Sequence, residues 1–288
     1  MAKVRRESLE IVTFWPYSAS MPLSFRKMHG LGNDFVILDG RVEPVRLTGD
    51  RIRAIGDRRR GVGFDQLVIL EPSKLPGAVF MRIYNPDGSE AGACGNATRC
   101  VADLIMKETG AQACTVETIS GILECTHTEN GLISVDMGPP KLEWNEIPLS
   151  KQCDTLHLPL SGDPVGVSMG NPHCVYFCED ARDVYVDKSG PKIEHDLLFP
   201  ERTNVEFVSI DGKDHLRMRV WERGAGITQA CGTGACASAV AAIRRGLTGR
   251  KVLVTLDGGD LLVEWRELDG HVLMTGPIAY SFEGILHD

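Results

Sequence analysis

A chain of 288 residues, 43% hydrophobic and 24% charged, has the apolar material for a sizeable core and the length for two domains. Its net charge of −8 argues against a binder of nucleic acid or of an anionic membrane, and no apolar run approaches the roughly 20 residues that span a bilayer. Nine cysteines, odd in number, widely spread and without a secretory leader pattern, argue for free thiols in a reducing, cytoplasmic compartment rather than a disulfide framework.

Residues 1–20 fit poorly with the rest of the chain. Lys3, Arg5 and Arg6 are basic, but Glu7 and Glu10 come directly after, and the apolar run Ile11 to Trp15 is cut by Pro16. The expectation is an extension ahead of an organised chain that starts at Met21. A strand begins at Phe25, then comes the turn-like His29-Gly30-Leu31-Gly32-Asn33-Asp34, then an apolar strand from Phe35 to Leu38. A short helix is expected over Arg51 to Arg59, with strands over Gln66 to Glu71 and Phe80 to Tyr84. Asn85-Pro86-Asp87-Gly88-Ser89 is strong turn chemistry that delivers the chain to Cys94. A helical run from Val101 to Thr109 closes at Gly110, and strands Thr115 to Thr118, Ile122 to His127 and Leu132 to Met137 come next.

The second half repeats this order. Strands Val165 to Met169 and Val175 to Phe177 flank Gly170-Asn171-Pro172-His173, and Asn204 to Ile210 and Leu216 to Trp221 alternate as strands. Then comes Cys231-Gly232-Thr233-Gly234 with an alanine-rich helix closed by Gly246, and the hairpin strands Val252 to Leu256, Leu261 to Arg266 and Val272 to Met274. Strands outnumber helices and join by tight turns, so the expected class is α+β with largely antiparallel sheet.

Taken singly, each cysteine at a helix start would be read as a small buried hydrophobe. Together they read differently, because Cys94 and Cys231 lie 137 residues apart and other pairs share the offset within one residue: Gly32-Asn33 with Gly170-Asn171, Gln66 with Asn204, Asn85 with Glu222, and Gly138-Pro139 with Gly276-Pro277. This is the signature of an internal duplication. A thiol at a helix N-terminus meets unpaired N–H groups and the positive end of the dipole, so a lowered thiol pKa is expected at both. Two such groups on opposite faces of one carbon can invert a stereocentre, one removing the α-proton and the other supplying a proton. The paired polar residues Asn33, Gln66, Asn85, Asn171 and Asn204, with Glu222 and Arg223, suit a substrate bearing ammonium and carboxylate groups.

The motifs Gly30-Leu31-Gly32-Asn33-Asp34-Phe35, Gly63-Phe64-Asp65-Gln66, Asn85-Pro86-Asp87-Gly88-Ser89-Glu90, Cys94-Gly95-Asn96, Glu222-Arg223-Gly224-Ala225-Gly226 and Cys231-Gly232-Thr233-Gly234 resemble those of the diaminopimelate epimerases over essentially residues 21–288. The resemblance implies a cofactor-independent, metal-free enzyme interconverting LL- and meso-2,6-diaminopimelate, on the way to lysine and peptidoglycan. It implies Cys94 and Cys231 as the acid–base pair, with His173 and Glu222 tuning the thiols. Substrate binding would fall to Asn33, Gln66, Asn85, Gly95, Asn96, Asn171, Asn204, Glu222, Arg223, Gly232 and Thr233. The implied fold is two similar domains, each a mixed or antiparallel β-barrel wrapped around a central helix, with the active site in the cleft between them. Their expected extents are 21–139 with 277–288, and 140–276, and a homodimer is implied. Ala97 and Ile227 depart from residues common in that family, and Thr233 replaces a frequent serine; none of these removes a role.

The alternative is a proline or hydroxyproline racemase-like enzyme with the same two-thiol chemistry, for which Asn96 after Gly95 is the wrong residue. A zinc site lacks paired Cys-x-x-Cys or His spacing. Cys100 and Cys236 are expected in the core, and the runs Arg58 to Arg60 and Glu179 to Asp183 as solvated loops.

Overall fold

The computed structural model describes residues 22–92 and 94–287, so the N-terminal extension expected over residues 1–20 lies outside the described residues. The first half runs β1 (Leu23–Gly30), β2 (Asn33–Asp39), α1 (Gly49–Gly56), β3 (Gln66–Pro72), β4 (Ala78–Tyr84), β5 (Glu90–Ala91), α2 (Gly95–Thr109), β6 (Ala113–Thr118), β7 (Gly121–His127) and β8 (Ile133–Asp136). The second runs β9 (Val165–Ser168), β10 (Pro172–Phe177), α3 (Val186–Glu194), β11 (Asn204–Gly212), β12 (His215–Glu222), β13 (Gly226–Ile227), α4 (Gly232–Arg244), β14 (Lys251–Leu256), β15 (Gly259–Trp265) and β16 (Val272–Gly276), and β17 (Ala279–Leu286) ends the chain.

Strand pairing repeats between the halves. In the first, β1–β2 is antiparallel, β2–β3 parallel, β3–β4 antiparallel, β4–β6 parallel, and β6–β7–β8 antiparallel. In the second, β9–β10 is antiparallel, β10–β11 parallel, β11–β12 antiparallel, β12–β14 parallel, and β14–β15–β16 antiparallel. The class is therefore α+β with a mixed sheet, in two like halves. The β8–β16 ladder joins them, and β17 returns to pair with β1 along its length, from Leu23 opposite Leu286 to His29 opposite Ala279.

Each half folds its strands over one helix. In α2 every residue from Gly95 to Met106 is buried, and in α4 only Thr233 and the last two residues escape burial. Small or apolar residues favour burial of a helix on all sides, as in the alanine-rich α4, while α2 also buries Asn96, Thr98, Arg99 and Asp103. Around α2 lie Phe35, Val68, Met81, Ile83, Val116 and Val135; around α4 lie Val165, Val167, Met218, Val220, Val254 and Val263. Gly110, at φ 70°, ends α2 in the left-handed conformation that glycine adopts without strain.

One element is absent from the sequence reading and another departs from it. Residues 186–194 contain Ser189-Gly190-Pro191, which looks like a turn, yet form α3; Gly190 is needed because a Cβ there would lie 2.4 Å from the Trp221 ring. Within the acidic run expected as a solvated loop, Ala181 to Asp183 form a 3-10 turn with Ala181 buried.

The tip of the β1–β2 hairpin crosses to the other half. Leu31 and Gly32 both take positive φ, 58° and 82°, the turn that matches strand twist, and Leu31 packs with the core around α4. Gly258 sits so close beneath it that a Cβ would come 1.9 Å from the Leu31 carbonyl oxygen and 3.1 Å from that of Gln229. Gly258→Ala is therefore expected to push two backbone segments apart at a cost at the upper end of overpacking, about 3 kcal/mol, lowering Tm by roughly 6–12 °C. Gly131→Ala, where a Cβ meets nothing within 4 Å, should cost only the left-handed backbone penalty, about 1–2 kcal/mol. Thermal unfolding of both variants checks this, and a Gly258→Ala loss no greater than that of Gly131→Ala contradicts it.

Candidate active site

Cys94 and Cys231 are the N-caps of the two buried helices. Cys94 has extended backbone (φ −150°, ψ 108°) and its sulfur accepts from Ala97 N–H at 3.5 Å; Cys231 (φ −120°, ψ 108°) accepts from Gly234 N–H at 3.4 Å. Sulfur thus occupies the place usually held by a Ser, Thr or Asp oxygen. The two helix starts meet at the Met274 thioether. A Cβ on Gly95 would come 2.8 Å from Met274 Cε, and one on Gly232 would come 2.8 Å from its Sδ. Asn96, 2% exposed, ties the two sides together: its Nδ2 donates to Asn33 Oδ1 and to the carbonyl of Ala230, each at 3.1 Å. Asn33 is fixed in turn by donating to Asp65 Oδ2 at 3.0 Å, and Cys94 Sγ lies 3.9 Å from Asn33 Oδ1.

The lowered thiol pKa expected from helix position is not what the folded chain produces. Burial pushes Cys94 up to about 11, with the Glu222 charge adding to the rise and the N–H groups of Ala97 and Asn96 and the Arg99 charge opposing it. Cys231, 4% exposed, is raised well above the usual thiol range by burial, then by Glu222 and Glu206, against Thr233 and the Gly234 N–H. Desolvation outweighs the dipole because it acts on the whole charge, whereas the helix end supplies about half a charge. Glu222 is itself raised by burial, opposed by hydrogen bonds from Thr228 and Cys231. One carboxyl therefore acts on both thiols.

Behind Cys231 lies a polar group of His173, Glu206, Asn171 and Thr233, none of which is exposed. His173 is fully buried, with Nδ1 2.7 Å from Glu206 Oε1 and Nε2 3.0 Å from Asn171 Oδ1. Asn171 Nδ2 donates to Thr233 Oγ1 at 3.2 Å, and that hydroxyl lies 3.6 Å from Cys231 Sγ. Asn204 is spent on the backbone, donating to the Pro172 carbonyl and accepting from Arg223 N–H, both at 2.9 Å. Glu222 accepts from the Thr228 hydroxyl. The Arg223 side chain is exposed and bonds the Glu201 carbonyl at 3.0 Å, so its guanidinium does not join Glu222. Gln66 and Asn85 meet at 3.5 Å, and Gln66 Oε1 is buried without a hydrogen-bond partner among the described residues.

Three residues of the centre escape a reading of the sequence. Glu206 stands two places after Asn204 on β11, and strand alternation puts both on one face. Thr228 comes after the Glu222 loop with no motif to mark it. Arg99, inside the Cys94 motif, is fully buried, with Nη1 3.5 Å from Met274 Sδ and with Nε and Nη2 unpartnered among the described residues. Alongside lies a cavity of about 440 Å³ lined by Lys27, His29, Asp34, Arg58, Asp65 and Thr228, among others. Its charges pair with one another: burial alone would raise Asp34, but Arg58 and Lys27 outweigh it and hold the carboxyl at about 2. Among the described residues no cluster of three or more His, Cys, Asp or Glu side chains could hold a metal ion, and no helix is long and apolar enough to cross a membrane.

The sequence profile described as diaminopimelate epimerase matches residues 25–143 and 165–280. A diaminopimelate epimerase of Rhodospirillum centenum is 56% identical over 269 residues, covering 92% of each chain. One of Acidiphilium cryptum is 53% identical over 91% of this chain and 95% of its own. Among solved structures, a phenazine biosynthesis protein of the PhzF family from Bacillus anthracis superposes with a TM-score of 0.67 at 17% identity, over 93% of this chain and 100% of its own. A hydroxyproline epimerase of Agrobacterium vitis, bound to trans-4-hydroxy-L-proline, gives 0.60 at 16%, over 92% and 91%. These two likenesses are of fold.

The raised thiols carry a pH signature. Each buried thiol keeps its proton in the folded chain at a pH where the unfolded chain has lost it. The resulting stabilisation is full below the ordinary thiol pKa of about 8.5 and is lost as pH rises through the folded value, about 11 for Cys94 and about 12 for Cys236. The urea midpoint is expected to fall between about pH 9 and pH 11, and to fall less steeply in Cys94→Ala. A midpoint flat across that range would contradict the assignment.

Proposed function

This chain belongs to the diaminopimelate epimerase family, and from that premise we propose that it interconverts LL- and meso-2,6-diaminopimelate by passing the α-proton between Cys94 and Cys231. It is an isomerase of amino-acid biosynthesis, and the reaction supplies meso-diaminopimelate for lysine and peptidoglycan. The observation that carries the two-thiol reading is the pair of cysteine N-caps whose helix starts meet across Met274 and Asn96.

The chemistry comes from that arrangement. A substrate α-carbon between the sulfurs presents one face to each. One thiolate removes the proton, the other thiol delivers its own to the opposite face, and reversal of direction exchanges the roles. The N–H groups at Gly95-Asn96 and Gly232-Thr233 are placed to receive the α-carboxylate and the charge that spreads onto it as the proton leaves. This lowers the cost of the carbanion-like state. Asn33, Gln66, Asn85, Asn171, Asn204, Glu222 and Arg223 would complete the site, with Gln66 Oε1 and Asn96 Oδ1 as buried acceptors still unpartnered among the described residues. His173 and Glu222 would set the charge around Cys231. No cofactor enters this scheme.

We place residues 21–139 with 277–288 in one domain and 140–276 in the other; the β1–β17 ladder supports the return of the C-terminus. A cytoplasmic location suits this substrate. A homodimer is supported by the exposed apolar side chains on the last strand, Tyr280, Phe282 and Ile285, which are 42%, 53% and 54% exposed.

Incubation with LL-diaminopimelate in D₂O tests the mechanism. Deuterium should enter the meso product while little appears in the remaining LL substrate early in turnover; equal washing into both would leave a single exchanging base. Cys94→Ala and Cys231→Ala should each lower turnover at least about a hundredfold with the fold retained by circular dichroism. Turnover of proline or hydroxyproline in place of diaminopimelate would overturn the substrate assignment.

A further inference from the structure

We propose that Glu206 is a positioning residue for Cys231, acting through a hydrogen-bonded chain that runs His173, Asn171, Thr233, Sγ. The proposal rests on the two-thiol reading above and assigns a role to a residue that no motif marks.

Glu206 is a carboxylate with no exposure to water, and its placement has shaped its surroundings. A Cβ on Gly234 would lie 2.8 Å from Glu206 Oε1 and 3.2 Å from Cys231 Sγ, so that glycine leaves room for both groups at the start of α4. A buried carboxylate without a compensating partner is costly. Here the partner is the His173 ring at 2.7 Å, while Oε2 has none among the described residues. In the corresponding places of the first half stand Phe35 and Val68, both apolar and buried, so the scaffold does not require an ion pair there. The charged groups facing Cys231 are Glu222 from β12 and Glu206 from β11, with His173 from β10 behind Glu206.

The direction of the chain is set by donors and acceptors. His173 Nδ1 lies against a Glu206 carboxyl oxygen and Nε2 against the Asn171 side-chain amide, so in one self-consistent arrangement both ring nitrogens donate, Nε2 to Asn171 Oδ1. Asn171 then presents Nδ2 to Thr233 Oγ1, whose own hydrogen is left to donate to Cys231 Sγ. This direction suits a thiolate at Cys231. The opposite direction is also self-consistent: His173 keeps only Nδ1–H, Nε2 accepts from Asn171 Nδ2, Asn171 Oδ1 accepts from Thr233, and Thr233 accepts from the thiol. The two states hold the same number of protons, since the one missing from Nε2 is the one on sulfur. Glu206 favours the first state because only a carboxylate balances the doubly protonated ring. Its own charge opposes a thiolate at Cys231 through space, and in the proposed coupling the hydrogen-bonded chain outweighs that repulsion.

The test reads the sulfur directly in the free enzyme, with Cys94 as internal control. Iodoacetamide labelling at pH 8, with peptide mass spectrometry as the readout, gives the ratio of Cys231 to Cys94 modification. Glu206→Gln should lower that ratio about tenfold, equivalent to one pH unit at the sulfur. Long-range ¹H–¹⁵N spectra, with His173→Asn for assignment, should show two protonated ring nitrogens in the wild type and one in Glu206→Gln. Should Glu206→Gln fail to fold, Thr233→Val cuts the chain at its far end and should lower the ratio in the same way. A labelling ratio that is unchanged or raised, whatever happens to turnover, overturns the proposal. Full turnover in Cys231→Ala would instead overturn the two-thiol reading and leave this coupling standing.

Discussion

The amide of Asn96 holds the site together. It sits in the first turn of α2, buried, and its two N–H groups bond one oxygen from each half: Oδ1 of Asn33 and the carbonyl of Ala230, the residue before Cys231. These two bonds hold the start of α2 close to the segment that leads into α4. Gly95 and Gly232 lack side chains because Met274 fills the space between the helix starts, and Leu31 accepts a left-handed backbone to seat the β1–β2 turn against the opposite core. The proposed mechanism, in which two thiols address one carbon from opposite faces, requires such a fixed separation.

Burial sets the terms of the chemistry. A thiol at a helix start is conventionally activated, but both of these are raised, because removing a sulfur anion from water costs more than a helix end returns. The enclosure that makes the thiols reluctant to ionise would also shield, in the proposed mechanism, a proton passing between them and the substrate. Charges placed around them are correspondingly strong in effect, and Glu222 reaches both.

The duplicated scaffold has been charged differently in its two halves. Beside Cys231 stand His173 and Glu206, where the first half has Phe35 and Val68. Beside Cys94 stands Arg99, where the second half has Cys236. Arg99 is a buried cation lacking a carboxylate among the described residues, and burial lowers its pKa accordingly. A symmetric fold thus presents two chemically unequal thiols, each with a buried ion of opposite sign nearby.

Much of this was legible in the chain itself. Cys-Gly repeated at half the chain length, each copy leading a helical run to a glycine, is a local pattern, and helix capping and strand alternation are local physics; they determined the duplication, the α+β class and the helix starts. Helix α3 was not legible, since Gly190 and Pro191 argue for a turn. Only Trp221 packing over Gly190, with Glu194 bonding the Trp221 indole at 2.7 Å and the Gly224 N–H at 3.0 Å, makes it a helix that holds the Glu222 loop. Nor could the chain reveal that Glu206 meets His173, or that the Arg223 side chain turns away to Glu201, because both contacts bridge separate segments. The direction of the thiol shift was likewise decided by tertiary structure. The helix end that lowers a thiol pKa is written in neighbouring residues, whereas the burial that raises it is assembled from β-strands throughout the chain.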